Sequence, residues 1–217
     1  MQDPISQFWT LRLEAVADAL RKNNFDARIV NSADSLKQTV MDEIVPALHP
    51  AGVSWGGSKT FVQTGLYEAF KALSDLEILD TYADGLSDAD KMNLRRKALL
   101  TDLFVTGTNA VTENGWLVNL DMIGNRVGAL TFGPRNVIVL AGRNKIVPDL
   151  EYALDRIKTY AAPVNAIRLE KKTPCAKTAV CHDCNSPDRI CNTWTITEKS
   201  FPKGRIIVLL INADLGF

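Results

Sequence analysis

The spacing of apolar positions changes repeatedly along the chain, and each change marks an element. Ile5, Phe8, Leu11, Leu13, Val16 and Leu20 recur at helical spacing and predict an amphipathic first helix. Residues 26–30 then read as a short strand, and Ser32 as the N-cap of a second helix carrying Leu36, Val40, Ile44, Val45 and Leu48. A strand at 52–55, a glycine-rich turn at Gly56-Gly57-Ser58 and a helix to about Leu73 follow. The alternation continues with strands at 76–79 and 103–106 around a helix at 88–100, strands at 116–120 and 137–141, and a helix from Pro148 to about Tyr160. Val137-Ile138-Val139-Leu140 is apolar without interruption, as a parallel strand covered on both faces requires. Residues 163–203 break the pattern, and 205–211 return to it as one more buried strand.

Alternation of this kind predicts a three-layer α/β fold with a mostly parallel sheet. Because the last strand lies beyond the irregular stretch, residues 163–204 read as a cysteine-rich insertion in a single domain spanning 1–217.

Composition narrows the function classes. The 217 residues are 46% hydrophobic, enough for a packed core, and Lys+Arg balance Asp+Glu at 25 each. A neutral chain has no global handle on phosphate backbones, which argues against nucleic acid as a partner. The apolar run 206–211 is far short of the roughly 20 residues of a membrane span. The start, Met1-Gln2-Asp3-Pro4, lacks the basic and apolar segments of a secretory leader, so a cytoplasmic protein is expected.

Cys175, Cys181, Cys184 and Cys191 are the only cysteines, in C-x5-C-x2-C-x6-C spacing. Thiols used as small core residues would be scattered through strands and helices; confinement to one loop says that they act together. A [4Fe–4S] cluster takes four thiolates and is the preferred reading; one tetrahedral zinc ion is the alternative, and disulfides or free thiols the third. His182, between two of the cysteines, reads as a supporting or solvated side chain rather than a ligand.

Two turn-rich segments carry the remaining chemistry. Gly56-Gly57-Ser58-Lys59-Thr60 follows a strand and opens a helix, so its backbone amides are candidates for binding an anion, although it is neither a Walker sequence nor G-x-G-x-x-G. A tight turn with Ser58 as N-cap explains the same residues equally well. The second segment runs through Thr108, Asn109, Glu113, Asn114-Gly115, Asn119, Asp121, Asn125 and Arg126, beginning where a parallel strand ends. Glu113 is a candidate base or nucleophile and Arg126 a candidate clamp for carboxylate or phosphate. Arg143, Asn144 and Lys145, after the 137–141 strand, point to the same sheet edge. Gly56, Gly57, Ser58, Lys59, Thr60, Thr108, Asn109, Asn125 and Arg126, with Glu113, are expected to line one pocket for a small anionic metabolite.

Thr106-Gly107-Thr108-Asn109-Ala110-Val111-Thr112-Glu113-Asn114-Gly115, Leu117-Val118-Asn119, Gly124-Asn125-Arg126-Val127 and Phe132-Gly133-Pro134 closely resemble the LUD (lactate utilisation) domain. Gly56 to Thr60 and Gly142-Arg143-Asn144-Lys145-Ile146-Val147 fit the same pattern, and Pro174 to Asn192 is similar to the C-terminal segment of a single-domain branch. The resemblance implies a fold related to ribose-5-phosphate isomerases and CoA-transferases. It also implies participation, with iron–sulfur partners, in oxidising L-lactate to pyruvate. In CoA-transferases a catalytic glutamate precedes Asn-Gly, as Glu113 does here. Other readings are a metabolite-sensing module with structural zinc and a CoA-ester or sugar-phosphate enzyme using Glu113; a homodimer is a further expected assembly.

Overall fold

A computed structural model describes residues 3–217. Helix α1 (Pro4–Lys22) opens with Asp3 as N-cap, its carboxylate accepting from the Ser6 amide, and Pro4 in the first turn, where a missing N–H costs nothing. There follow β1 (Asp26–Val30), α2 (Ala33–Gln38), α3 (Val45–Leu48), β2 (Gly52–Trp55), α4 (Lys59–Gln63), α5 (Leu66–Lys71), β3 (Glu77–Leu79) and α6 (Asp88–Lys97). The remainder comprises β4 (Leu103–Gly107), β5 (Ala110–Thr112), β6 (Leu117–Asp121), α7 (Asn125–Thr131), β7 (Asn136–Gly142) and β8 (Ile146–Val147). Next come α8 (Leu150–Arg156), α9 (Ala162–Arg168), α10 (Pro174–Thr178), β9 (Thr193–Thr197) and β10 (Ile206–Ile211).

Six strands form one wholly parallel sheet in the order β1-β10-β7-β4-β2-β3. Its central strands are buried along their length: all of Leu103–Gly107 in β4 and all of Ile206–Ile211 in β10. One face of the sheet packs on α1 and α7 through Leu13, Val16, Leu20 and Leu130; the other packs on the helices of 33–71 through Leu36, Val40, Phe61 and Phe70. The expected three-layer α/β architecture is therefore present. Only the second half of α1 contributes to it, because Ile5, Phe8 and Leu11 are exposed. No helix among the described residues is long and apolar enough to cross a membrane.

A second sheet, β8-β5-β6-β9, was not expected. It is mixed, with β5 parallel to β8 and antiparallel to β6, and β9 antiparallel to β6. Its outer face packs on α8 through Val118, Val147, Ala153 and Ile157. Residues 163–203 are consequently more ordered than their composition implies: they begin inside a helix and include α10 and β9. The helix expected to end near Tyr160 continues to Arg168. It passes Pro163 by way of a π turn at Ile157–Ala161, in which the Ala162 amide reaches the Ile157 carbonyl, so the widened turn absorbs the donor that proline lacks. The second helix does the same: a π turn at Thr39–Ile44 precedes Pro46. The helix expected from Ser58 to Leu73 is instead two helices, α4 and α5, separated at Gly65, whose φ of +71° suits glycine.

Candidate functional site

A cavity of about 540 Å³ opens at the carboxyl ends of β2, β3, β4, β7 and β10, where Gly57-Ser58, Thr81-Tyr82, Gly107-Thr108-Asn109, Lys145 and Gly216 follow those strands. Open parallel sheets place ligands at this edge. Gly57, Ser58, Lys59, Thr108, Asn109, Asn125 and Arg126, all expected at a pocket, line it.

Arg126 is held rigidly. Its Nε donates to Asp121 Oδ1 at 2.9 Å, and its Nη2 to the Leu120 carbonyl at 3.1 Å and Asn109 Oδ1 at 3.3 Å. Asp121 is itself oriented by the Gly124 amide at 3.1 Å, and Asn109 Oδ1 also accepts from the Leu120 amide. Gly124 has φ +89°, the left-handed backbone that turns the chain into α7 and places Arg126 in its first turn. Gly56 lies behind the guanidinium stem: a Cβ there would stand 2.6 Å from Arg126 Cγ. Its role is to let the arginine cross, rather than to touch ligand.

The Gly56–Thr60 turn differs from a backbone anion cradle in one decisive respect. The Ser58 amide donates to the Tyr82 hydroxyl at 3.0 Å, and that hydroxyl donates to the Gly56 carbonyl at 2.8 Å. Ser58 Oγ caps α4 by accepting from the Phe61 amide at 3.2 Å. The Gly56, Ser58 and Phe61 amides are thus taken up within the fold, and the lining side chains add charged donors at this edge. Thr60 is buried behind the lining, where its Oγ1 accepts from Lys145 Nζ at 3.0 Å.

Lys145 is the residue that the motif reading undervalued. It is 4% exposed and lines the cavity, yet none of the ion pairs among the described residues includes it. Burial, and after it the guanidiniums of Arg156 and Arg126, pull its pKa from the ordinary 10.5 down to about 7. Arg156 is fixed by the Asn109 carbonyl at 2.7 Å and the Asn144 carbonyl at 3.2 Å, and burial lowers its pKa too. The sequence pointed to Lys145 only through its place shortly after a buried strand and within the Gly142–Val147 segment of the resemblance.

Lys59, Arg95, Arg126, Lys145, Arg168 and Lys171 surround the cavity, against only Asp88 and Asp121. Asp121 is already paired with Arg126, so a chain of zero net charge concentrates positive potential here.

Glu113 is elsewhere. It sits on the β5–β6 turn, outside the cavity lining, with Oε1 2.7 Å from Arg12 Nη2. The turn packs on α1 through Gly115, where a Cβ would come within 2.6 Å of the Ala19 backbone, and the Asn23 side chain donates to the Asn114 and Gly115 carbonyls. That docking carries Glu113 toward Arg12, so the structure does not place the expected base with the expected clamp.

Cys175, Cys181, Cys184 and Cys191 are all free thiols and line one small cavity with Lys158, His182 and Arg189. Burial raises the Cys191 pKa, and the neighbouring Cys181 and Cys175 add to the rise. His182 Nε2 is within 3.1 Å of Thr178 Oγ1, which suits a supporting role. Arg189 staples the loop: its Nε donates to the Cys191 carbonyl at 2.8 Å, its Nη1 to the Cys184 carbonyl, and its Nη2 to Asp183, which also pairs with Lys158 at 2.7 Å. Among the described residues no three His, Cys, Asp or Glu side chains close together tightly enough to hold a metal ion. Four thiols on one cavity are the donor type that a thiolate-held centre requires, although their present placement does not itself gather three donors around one ion. Ile190 belongs to the walls of both cavities, and Asn192 ties the cysteine loop to the Asp121 and Met122 carbonyls at 3.0 Å each.

The fold and site together define an α/β protein that gathers basic side chains at the carboxyl edge of a parallel sheet, with a thiol cluster beside them. The chain belongs to the LUD domain family, whose model matches residues 13–211. Among solved structures it is similar to a DUF162 family protein from Deinococcus radiodurans, at 14% identity and a TM-score of 0.49, covering 94% of this chain and 97% of that one. No curated protein matches. Family membership supports a role related to lactate utilisation.

Proposed function

We propose that the protein binds a small organic anion in the cavity around Arg126 and Lys145 and serves organic-acid utilisation, L-lactate and pyruvate being the first ligands to consider. The observation that carries this reading is the ring of six basic side chains around one cavity of a chain whose net charge is zero. Arg126, fixed by Asp121, Asn109 and Leu120, offers a preorganised clamp for a carboxylate or phosphate. The exposed rim charges Lys59 and Arg168 would speed capture of an anion more than they would hold it.

The four cysteines are the proposed ligands of a [4Fe–4S] centre, which when bound would supply one-electron chemistry in conjunction with iron–sulfur partners. Four free thiols around one cavity, with Lys158 and Arg189 to offset thiolate charge, support a thiolate-held centre, with one zinc ion as the alternative occupant. Ile190, shared by both cavities, would leave such a centre one side chain from the anion. This chain's own part is to bind the anion, orient it with Arg126 and keep the thiols together through Arg189.

The test has two arms. Calorimetric titration at low ionic strength with L-lactate, pyruvate and inorganic phosphate should show saturable binding of at least one, weakening as salt rises. Protein prepared and held without air should contain iron and acid-labile sulfide, and Cys184→Ala should lose both. Absence of binding by every anion overturns the first statement; protein grown with ample iron but carrying none overturns the second.

A further inference from the structure

Lys145 combines features that an ion-pairing lysine does not have. Its amine is buried, opens on the cavity and has two fixed guanidiniums, Arg126 and Arg156, as its charged neighbours. Its hydrogen bond runs outward: Nζ donates to Thr60 Oγ1 at 3.0 Å, and Thr60 Oγ1 donates to the Leu215 carbonyl at 3.4 Å. The Thr60 proton is thereby spent on Leu215, so the threonine cannot occupy the nitrogen lone pair. A third buried positive charge beside two arginines is costly, and a neutral amine with an open lone pair is a nucleophile. Burial and the two arginines bring deprotonation of this amine within reach of neutral pH.

We propose that Lys145 forms an imine with an anionic aldehyde or ketone seated in the cavity, the anionic group lying against Arg126 and the carbonyl carbon facing Lys145 Nζ. This deepens, and rests on, the anion-binding reading above. In the reaction the amine nitrogen bonds to the carbonyl carbon, the carbon–oxygen double bond breaks, and the oxygen leaves as water with both amine hydrogens. No oxidant or reductant is consumed. The substrate class is a 2-oxo acid or a phosphorylated aldehyde or ketone. A cavity of about 540 Å³ is within the 300–1,000 Å³ usual for small-molecule sites and admits molecules larger than a three-carbon acid.

Two probes bracket the class: pyruvate, a small 2-oxo acid, and pyridoxal 5′-phosphate, a larger phosphorylated aldehyde. Each is incubated with the intact protein near pH 8 and reduced with sodium borohydride, which turns an imine into a stable secondary amine. Modified peptides are then mapped by mass, and binding without borohydride is measured by calorimetry. The expected result is a reduced adduct at Lys145, formed ahead of the exposed lysines with at least one probe. Lys145→Arg should lose that adduct while the exposed lysines label as they do in the wild type. Calorimetric binding with labelling confined to exposed lysines overturns the imine and leaves the anion site standing; neither binding nor labelling overturns both. The wild-type peptide map decides the matter even if the variant fails to fold.

Discussion

Replacing Arg126 by alanine should lower the unfolding free energy by on the order of 3–5 kcal/mol and weaken anion binding by about a hundredfold. Both effects come from one geometry. The Arg126 and Asp121 side chains are 11% and 8% exposed, so the pair is buried, and removing the guanidinium leaves the carboxylate without its charged partner. The Asp121 and Leu120 acceptors, and the shared Asn109 oxygen, lose a donor at the same time. Stability and binding separate in the double variant Asp121→Asn with Arg126→Ala. Removing the stranded charge should restore part of the stability, while affinity stays low because the clamp is still missing. Chemical denaturation read beside calorimetry checks both, and an Arg126→Ala protein that unfolds and binds like the wild type would contradict the assignment.

Lys145→Met acts in the opposite sense on stability. In the folded protein the amine titrates near 7, against 10.5 ordinarily. Below pH 7 the lysine is charged in both states, and the folded state bears the full cost of burying that charge. Between pH 7 and 10.5 the unfolded chain holds a proton that the folded chain does not, so stability rises with pH; above 10.5 the cost is gone. The charged groups facing the amine are the guanidiniums of Arg156 and Arg126, which add to the cost, and Thr60 supplies a neutral hydrogen bond. Methionine, similar in length and apolar, removes the burden and strands only the Thr60 hydroxyl. In anion-free buffer at pH 6 the variant should be more stable by on the order of 3 kcal/mol, the gain shrinking toward pH 10. It should also bind anions less tightly. A gain in stability together with a loss of binding is the signature of a group kept for function at the expense of the fold. A variant less stable than wild type at pH 6 would show that the lysine is structural.

The parallel core was legible because its strands are buried on both faces and read as unbroken apolar runs, β7 and β10 most clearly. The second sheet was not, since its signals are short or polar: β8 has two residues, and the half-exposed β9, Thr-Trp-Thr-Ile-Thr, lies among loop-forming residues. Prolines misled for a definite reason. Pro163 marks a helix end by local rule, but a π turn carries the chain past it. At the site, Arg126, Thr108 and Asn109 were legible because they follow a buried strand and cluster in sequence. Arg95, Arg168 and Lys171 come from helices and a loop far apart in the chain, and only the tertiary fold brings their charges to one cavity. Glu113 was misplaced because its local motif is silent about where the hairpin docks; contact of Gly115 with α1 decides that. The cysteines, grouped by spacing alone, do share one cavity, but their order owes much to Arg189, whose role spacing could not reveal.

The account stands on an anion site formed by Arg126 and Lys145 at the carboxyl edge of the sheet. Its most direct test is a crystal of the protein soaked in sodium selenate, a tetrahedral oxyanion whose selenium can be located by anomalous scattering. The account predicts that the strongest selenium peak outside the protein's own atoms lies in this cavity, within hydrogen-bonding distance of Arg126 and Lys145 Nζ, and that it disappears in Arg126→Ala. Peaks confined to the outer surface, or a cavity peak that persists unchanged in that variant, would contradict it.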